Sequence, residues 1–386
     1  MKRRYFVLCL LLVCVLASFM AGKLPSKVYA LPDEISVNSR AAILVDYVSG
    51  EVLHQQNADQ KFEVASMVKL MTIYLTIDAL ENGQIALDDT LVASEYAASH
   101  GGSQVFLDAG SSYNVGKMLQ SVIMASANDA SVALAEFVAG SEKAFVEKMN
   151  QTAKSLGMEN TQYANATGLP APMQFSTAAD TVKILSKLIP NETYHKFSSM
   201  WMDELVHPSG RKTEIVNTNK LTRYYKGCDS GKTGFTDEAG YCLASSVMRD
   251  DMRLVAVVMG AKTAKERFSE SINLFNWGFS NFKNNIILDC SEPVGEVNVV
   301  RSLKSSAKVF AKECFSAVTP VGKAHEYEIK FDIQKSAKAP MNKGDVVGVA
   351  VVSKKGLVVK EVELVLGEDI AALTYPQAIG KVAKAW

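Results

Sequence analysis

The stretch Val64-Ala65-Ser66-Met67-Val68-Lys69 opens an apolar run that continues through Leu70-Met71-Thr72-Ile73-Tyr74-Leu75. The run carries no charge from Leu70 to Ile77 and is apolar on nearly every side, which predicts a helix through a domain core. In such a helix, Ser66 and Lys69 share one face because they lie three residues apart. The stretch therefore predicts a hydroxyl beside an amine at the first turn of a buried helix.

The predicted position of Lys69 favours its neutral amine. The positive end of the helix dipole and the loss of solvation on burial both disfavour an ammonium ion. A neutral amine can accept the proton of a serine hydroxyl, and a serine activated in this way can attack a carbonyl carbon. Ser66 and Lys69 are thus candidates for a nucleophile and its base, although S-x-x-K alone occurs by chance in many chains.

A second motif, Ser126-Ala127-Asn128-Asp129, lies between a predicted amphipathic helix at 115–125 and another helical pattern at 130–138. Ser and Asn are common helix caps, so capping is the first interpretation of this cluster. A chemical role is the alternative, and the local pattern leaves both open.

The third motif is Asp229-Ser230-Gly231-Lys232-Thr233-Gly234-Phe235. Its Gly-Lys-Thr segment suggests the end of a phosphate-binding loop, but that motif needs a glycine at position 226, which is Lys226, and a helix after it. The segments 241–244 and 254–259 instead have the pattern of antiparallel strands. We therefore predict a strand that presents the Lys232 cation and the Thr233 hydroxyl to one side.

The length and periodicity of the 386-residue chain predict two domains. Helical patterns and strands are mixed over residues 31–285, where a loop at 157–180 is rich in Asn, Gly, Pro and Thr. From 286 to 374 the pattern alternates, as in Tyr327–Ile333, which predicts half-buried strands. We expect an α+β domain at 31–285, followed by a small all-β sandwich or barrel at 286–374.

The N-terminus has the three parts of a secretory signal. Lys2-Arg3-Arg4 precede an apolar run from Tyr5 to Phe19, and the segment ends in Val28-Tyr29-Ala30. The run is shorter than the ~20 residues of a membrane span, so we predict a signal peptide at 1–30 in preference to an uncleaved anchor. An exported protein works outside the cytoplasm, in the cell wall or the periplasm.

The C-terminal tail, residues 375–386, places Ile379, Val382 and Trp386 at helical spacing. This spacing predicts either an amphipathic foot on the outer face of the cytoplasmic membrane or a frayed polar terminus, and the two remain open.

The charge balance excludes a nucleic-acid partner. Loss of residues 1–30 removes five of the 41 basic side chains and none of the 41 acidic ones, which leaves a net charge near −5. Nucleic-acid binding requires a basic face instead. The five histidines form no metal motif, so we predict neither a metal nor a cofactor.

Four cysteines remain after loss of the predicted signal peptide. They are Cys228, Cys242, Cys290 and Cys314. An exported protein permits disulfides, but four cysteines allow three pairings and the sequence does not choose among them.

The three motifs in this order, S-x-x-K at 66–69, S-x-N at 126–128 and K-T-G at 232–234, are typical of serine enzymes that act on penicillin or its peptide analogues. With them, the chain resembles the low-molecular-mass penicillin-binding proteins, specifically the serine-type D-alanyl-D-alanine carboxypeptidases. The resemblance runs from about Ala41 into the β domain. It implies a β-lactamase/transpeptidase-like catalytic domain, an antiparallel sheet with helices. The family's usual P-A-S-x-T-K departs here only at Val64 and Val68, neither of which is a catalytic group.

The resemblance also implies the catalytic roles. Ser66 is the nucleophile that becomes acylated, Lys69 is its base, and Ser126 relays a proton to the leaving amine. The backbone N–H groups of Ser66 and Phe235 form the oxyanion hole.

The substrate-binding residues that the resemblance implies are Asn128, Lys232, Thr233, Gly234, Phe235 and Arg267. Asn128 holds a peptide group of the substrate. Lys232 and Arg267 offer two cations to the free C-terminal carboxylate that a carboxypeptidase must recognise, and Thr233 binds the same carboxylate.

The implied reaction removes the terminal D-alanine from the peptidoglycan pentapeptide through an acyl-enzyme, and β-lactam antibiotics acylate the same serine. A β-lactamase is one alternative, but its deacylating glutamate has no match, because Glu159 and Asp180 lie in other contexts. A DD-endopeptidase or transpeptidase differs only in its peptides. A non-catalytic wall-binding protein is the alternative from another class.

Overall fold

The computed structural model describes residues 35–323 and 325–383. The predicted signal peptide at 1–30 lies outside the described residues. The strands are β1 Ala41–Asp46, β2 Val52–Gln56, β3 Thr90–Val92, β4 Ser112–Asn114, β5 Met202–Val206, β6 Lys212–Val216, β7 Cys228–Thr236, β8 Gly240–Arg249, β9 Met252–Ala261, β10 Phe282–Leu288, β11 Pro293–Val300, β12 Ser306–Ala311, β13 Phe315–Pro320, β14 Tyr327–Ile333, β15 Ser336–Lys338, β16 Val346–Lys354 and β17 Leu357–Leu366.

The helices are α1 Lys69–Glu81, α2 Glu95–Ala98, α3 Val115–Met124, α4 Asn128–Ala139, α5 Glu142–Ser155, α6 Ala178–Leu188, α7 Glu192–Ser198, α8 Leu221–Tyr224, α9 Ala264–Asn281 and α10 Tyr375–Ala383. A 3₁₀ turn, Ala65–Val68, leads directly into α1. The sequence predicts a single helix here; instead Ser66 lies in the tighter turn and Lys69 is the first α-helical residue.

The first domain is built on a five-stranded antiparallel sheet in the order β2-β1-β9-β8-β7. The K-T-G motif therefore lies on an edge strand, β7, in the same antiparallel sheet as β8 and β9, the two strands predicted after it. One face of the sheet packs against α9, through side chains such as Leu254 and Phe275. The other face packs against the helices around α1, whose apolar residues are buried nearly all round. This arrangement puts the Ser66 turn beside the β7 edge.

The second domain is all β, as predicted. Its main sheet has six strands in the order β14-β16-β17-β12-β11-β15, and β10 pairs with β13 in a separate ribbon. The domain has its own core, which includes Val309, Val347 and Leu364. A disulfide joins Cys290 to Cys314, the pairing that the sequence left open, while Cys228 and Cys242 are buried free thiols of the first domain.

The described part of the tail is helical over Tyr375–Ala383, with Tyr375 and Ile379 exposed. Among the described residues, no helix has the length and apolar character needed to cross a membrane. The α+β fold followed by a small β domain is confirmed.

Candidate active site

Ser66 lies in a turn that packs closely against two glycines, Gly168 and Gly234. Ala65, just before it, has a positive φ of 46°. A Cβ on Gly168 would overlap the Ala65 carbonyl, and a Cβ on Gly234 would lie 2.8 Å from the Val64 carbonyl oxygen. The loop at 165–170 and strand β7 thus fix the Ser66 turn from two sides, and only glycine permits both approaches.

Lys69 is fully buried and lies next to the serine hydroxyl. Its Nζ donates to Ser66 Oγ at 3.0 Å, to Asn128 Oδ1 at 2.7 Å and to the Thr167 carbonyl. Burial lowers the pKa of Lys69 to about 7, against the opposing effect of the Asp129 carboxylate. A neutral amine is therefore accessible near neutral pH, as the sequence predicts.

Ser126 and Lys232 form a second pair. Ser126 connects α3 to α4 with a positive φ of 62°, and its Oγ accepts a hydrogen bond from Lys232 Nζ at 2.7 Å. Lys232 Nζ also donates to the Thr233 carbonyl at 2.9 Å. The pKa of Lys232 lies well below its usual value because of burial first, and then because of the positive charges of Lys69 and Arg267. The two lysines can therefore not both be charged at low cost.

Asn128 bridges two parts of the site rather than capping a helix with its side chain. Its Oδ1 accepts from Lys69, and its Nδ2 donates to the Gly101 carbonyl at 2.7 Å. Its backbone N–H donates to the Ser103 carbonyl at 2.7 Å. The second motif thus faces Lys69, and the alternative of a plain cap is wrong for Asn128.

Phe235 and Arg267 lie together at the end of β7, beside Tyr241 of β8. Phe235 is 48% exposed and stacks on Tyr241 of β8, with ring centroids 4.2 Å apart. The Arg267 guanidinium lies 5.4 Å from the Tyr241 ring centroid, and its Nη1 donates to the Gly234 carbonyl at 3.1 Å. Arg267 is thereby held at the strand that carries the K-T-G motif.

The predicted site residues converge, and the structure adds groups that the motifs do not contain. The carbonyls of Gly101 and Thr167 are the new acceptors for Asn128 and Lys69. Asp129, fully buried, accepts from the Val105 N–H at 3.1 Å and so holds the loop beyond Gly101. The composition of the 157–180 loop indicated a functional loop, but no sequence signal identified which carbonyl would contact Lys69.

The two acidic residues considered for a β-lactamase have other surroundings. Asp180 is buried and accepts from the Asn160 N–H and the Thr161 hydroxyl, both at 2.9 Å. Glu159 is exposed. Asp180 is engaged in these hydrogen bonds and Glu159 faces solvent, which argues against either as the deacylating base of a β-lactamase.

Comparison with known proteins adds independent information. A family model described as D-alanyl-D-alanine carboxypeptidase matches residues 27–263, and one described as the penicillin-binding protein 5 C-terminal domain matches residues 282–372. The chain is 36% identical over 338 residues to the D-alanyl-D-alanine carboxypeptidase DacF of Bacillus subtilis, with 87% of each chain covered. It is 35% identical over 346 residues to DacC of Escherichia coli, covering 87% of this chain and 85% of that one.

A solved structure, penicillin-binding protein 5 from Haemophilus influenzae, is similar over 87% of this chain and 98% of its own. The TM-score is 0.71 and the sequence identity 32%. The similarity therefore extends over both domains.

Proposed function

Because the chain belongs to the D-alanyl-D-alanine carboxypeptidase family, we propose that its acyl-enzyme forms on Ser66 with Lys69 as the base. The enzyme is a serine peptidase that removes the terminal D-alanine from peptidoglycan stem peptides. The observation that carries the assignment of residues is the 3.0 Å contact between Lys69 Nζ and Ser66 Oγ, made by a lysine whose pKa is lowered to about 7.

Acylation begins when the neutral Lys69 amine accepts the Ser66 proton and Oγ attacks the carbonyl carbon of the penultimate D-alanine. The backbone N–H groups of Ser66 and Phe235 stabilise the negative oxygen of the tetrahedral intermediate. The leaving D-alanine needs a proton on its amine. Ser126 relays it: its hydroxyl, which is hydrogen-bonded to Lys232, gives its proton to the amine and takes up the proton that Lys69 accepted from Ser66, so that Lys69 is neutral again.

The terminal carboxylate of the substrate binds at the β7 end, where Thr233, Lys232 and Arg267 supply a hydroxyl and two cations. Asn128 and the Gly234–Phe235 segment hold the peptide groups on either side of the scissile bond. Lys232 is buried and Arg267 is partly buried, so each attracts the substrate carboxylate more strongly than an exposed cation would.

Water then hydrolyses the acyl-enzyme and regenerates Ser66. Penicillins acylate the same serine, in keeping with the family's penicillin-binding members. The endopeptidase alternative uses the same chemistry on a cross-linked peptide, and it is distinguished from a carboxypeptidase only by the substrate that is cleaved.

The test uses residues 31–386 with the peptide diacetyl-Lys-D-Ala-D-Ala, beside a Ser66→Ala variant. Free D-alanine is measured, and both proteins are incubated with a fluorescent penicillin. Release and covalent labelling are both expected for the parent protein and neither for the variant. Labelling without release would indicate that the natural substrate is a cross-linked peptide or a β-lactam. Release of D-alanine by Ser66→Ala would contradict the assignment of the nucleophile.

We also propose that residues 1–30 are a cleaved export signal and that the 375–386 tail attaches the enzyme to the outer face of the cytoplasmic membrane. The amphipathic spacing of the tail and the exposure of Tyr375 and Ile379 support the second part. Sequencing of the exported protein should begin at Leu31. Deletion of 375–386 should release the enzyme from the membrane fraction, and unchanged fractionation would contradict the anchor.

A further inference from the structure

Glu142, in the first turn of α5, connects the two loops that border Lys69. Its Oε1 accepts a hydrogen bond from the Ala166 backbone N–H at 2.9 Å, and its Oε2 accepts one from the Tyr96 hydroxyl at 2.7 Å. The carboxylate lies at the N-terminus of a 14-residue helix, where the helix dipole favours a negative charge. We call the two hydrogen bonds of this side chain the Glu142 bridge.

The first arm of the bridge leads to Lys69. The Ala166 carbonyl accepts from Thr72 Oγ1 at 2.8 Å, and the next carbonyl, that of Thr167, accepts from Lys69 Nζ. Thr72 and Lys69 lie one turn apart on α1. The hydrogen bond from the Ala166 N–H to Glu142 therefore holds the backbone segment whose Thr167 carbonyl accepts from Lys69.

The second arm leads to Asn128. The Tyr96 carbonyl is 2.8 Å from His100 Nδ1, and the two rings meet edge to face with centroids 4.7 Å apart. Gly101 follows directly, and its carbonyl accepts from Asn128 Nδ2 at 2.7 Å. Since Asn128 Oδ1 accepts from Lys69, both arms end on the same lysine–asparagine pair.

The two hydrogen bonds of the bridge differ in burial: the bond from the Ala166 N–H is partly buried, and the bond from the Tyr96 hydroxyl is exposed. The Glu142 hydrogen bond raises the pKa of Tyr96 to about 12, so the phenol keeps its proton and remains a donor near neutral pH. The other charged side chains along the same surface cavity are Glu136, Lys143 and Glu147. Of these, Glu136 accepts from Ser94 Oγ at 2.7 Å, which fixes the start of α2.

We propose that Glu142 is a positioning residue for acylation: by joining the 164–168 loop to the 94–101 segment, it keeps the Thr167 and Gly101 carbonyls on the Lys69–Asn128 pair. The inference rests on the proposed function, because it takes Lys69 as the base. It requires two hydrogen-bond partners at this side chain rather than a negative charge. Glutamine, which can accept from Ala166 and donate to the tyrosine oxygen, should therefore replace glutamate.

The test compares Glu142→Ala, Glu142→Gln and a matched control, Glu147→Ala, which removes an exposed acid of the same helix and cavity. The rate of acylation by a fluorescent penicillin, kcat and KM for D-alanine release, and the thermal unfolding midpoint are measured for each. Glu142→Ala should acylate about tenfold more slowly, chiefly through kcat, since misplaced catalytic groups lower the rate of the chemical step. Glu142→Gln and Glu147→Ala should stay within about threefold of the parent enzyme.

Tyr96→Phe removes the second arm alone and should give a smaller loss than Glu142→Ala. Glu142→Ala acylating like Glu147→Ala, or Glu142→Gln acylating as slowly as Glu142→Ala, would overturn the proposal. If Glu142→Ala does not fold, Tyr96→Phe decides, and an unchanged acylation rate in that variant overturns it. A parent enzyme that neither labels nor releases D-alanine would instead refute the proposed function itself.

Discussion

At the scale of single residues, the site depends on two lysine side chains that are buried away from water. Lys69 and Lys232 are both fully buried, and burial is the largest cause of the lowered pKa of each. For a lysine, a lowered pKa means that the neutral form becomes populated nearer to physiological pH. The same burial, which would be a stability cost elsewhere, thus supports the proposal that Lys69 is the base for Ser66.

The pH dependence of acylation follows from the pKa of Lys69, which is about 7. Below that pH the amine is protonated and cannot take the Ser66 proton, so the acylation rate should rise through about pH 7 and level off above it. The measurement is the rate of penicillin acylation from about pH 5 to about pH 9. Lys69→Arg, which stays charged, should lose roughly 10²–10⁴-fold on the plateau above pH 7 and should not show the rise. A rate independent of pH would contradict Lys69 as the base.

Gly168 should tolerate no side chain. It has a φ of +81°, and a Cβ there would overlap the Ala65 carbonyl. Gly157 has a similar φ of +69° but open space around it, so Gly157→Ala is a matched control that carries the backbone strain alone. We expect Gly157→Ala to cost about 1 kcal/mol of unfolding free energy and Gly168→Ala to cost about 2 kcal/mol more and abolish labelling. Equal unfolding midpoints for the two variants would contradict the close contact.

At the scale of elements, the sequence predicts the strands and the helix that carry the site residues. It predicts less well the backbone carbonyls that accept hydrogen bonds from those residues. The strands β7, β8 and β9 and the helix after Ser66 could be predicted because each has a strong local pattern. The Thr167 carbonyl could not, because any residue type supplies a backbone carbonyl and its contact with Lys69 exists only in the folded chain. The positive φ of Ala65, imposed by the packing of the adjacent loop and strand, likewise has no local sequence signal.

Asp129, near the start of α4, both holds the loop at 105–107 and influences the pKa of Lys69. Its carboxylate accepts from the N–H groups of Val105 and Leu107, and its charge raises the pKa of Lys69 against burial. Asp129→Asn removes that charge, so the pKa of Lys69 should fall and the rising limb of the acylation profile should move to lower pH. The thermal unfolding midpoint should also fall, because a charged acceptor is lost. The exposed Glu159→Gln serves as the control, and a limb that moves to higher pH would contradict the assignment.

At the scale of the whole molecule, the β domain has a hydrophobic core of its own. The catalytic domain holds every candidate site residue, and the β domain has a separate core closed by the only disulfide found among the described residues. The domains also touch, since Glu51 of the catalytic domain pairs with Lys354 at 2.6 Å. The pairing of Cys290 with Cys314 could not be predicted, because it depends on which strands become neighbours.

The disulfide should affect stability without affecting chemistry. The cysteines are 24 positions apart, and a loop of this size corresponds to about 3 kcal/mol of stabilisation in the chain-entropy model. Replacing both Cys290 and Cys314 with Ser should therefore lower the unfolding midpoint of the β domain while penicillin acylation of the catalytic domain stays unchanged. A large loss of acylation in the folded variant would show that the two domains are coupled more tightly than their separate cores indicate.

The most direct test of the central claim is intact mass spectrometry of the enzyme after brief incubation with penicillin, followed by peptide mapping. The expected result is one added penicilloyl group per chain, located on the peptide that contains Ser66, and no adduct in Ser66→Ala. An adduct on another residue, or an adduct that persists in Ser66→Ala, would contradict Ser66 as the nucleophile and with it the roles assigned to Lys69 and Ser126.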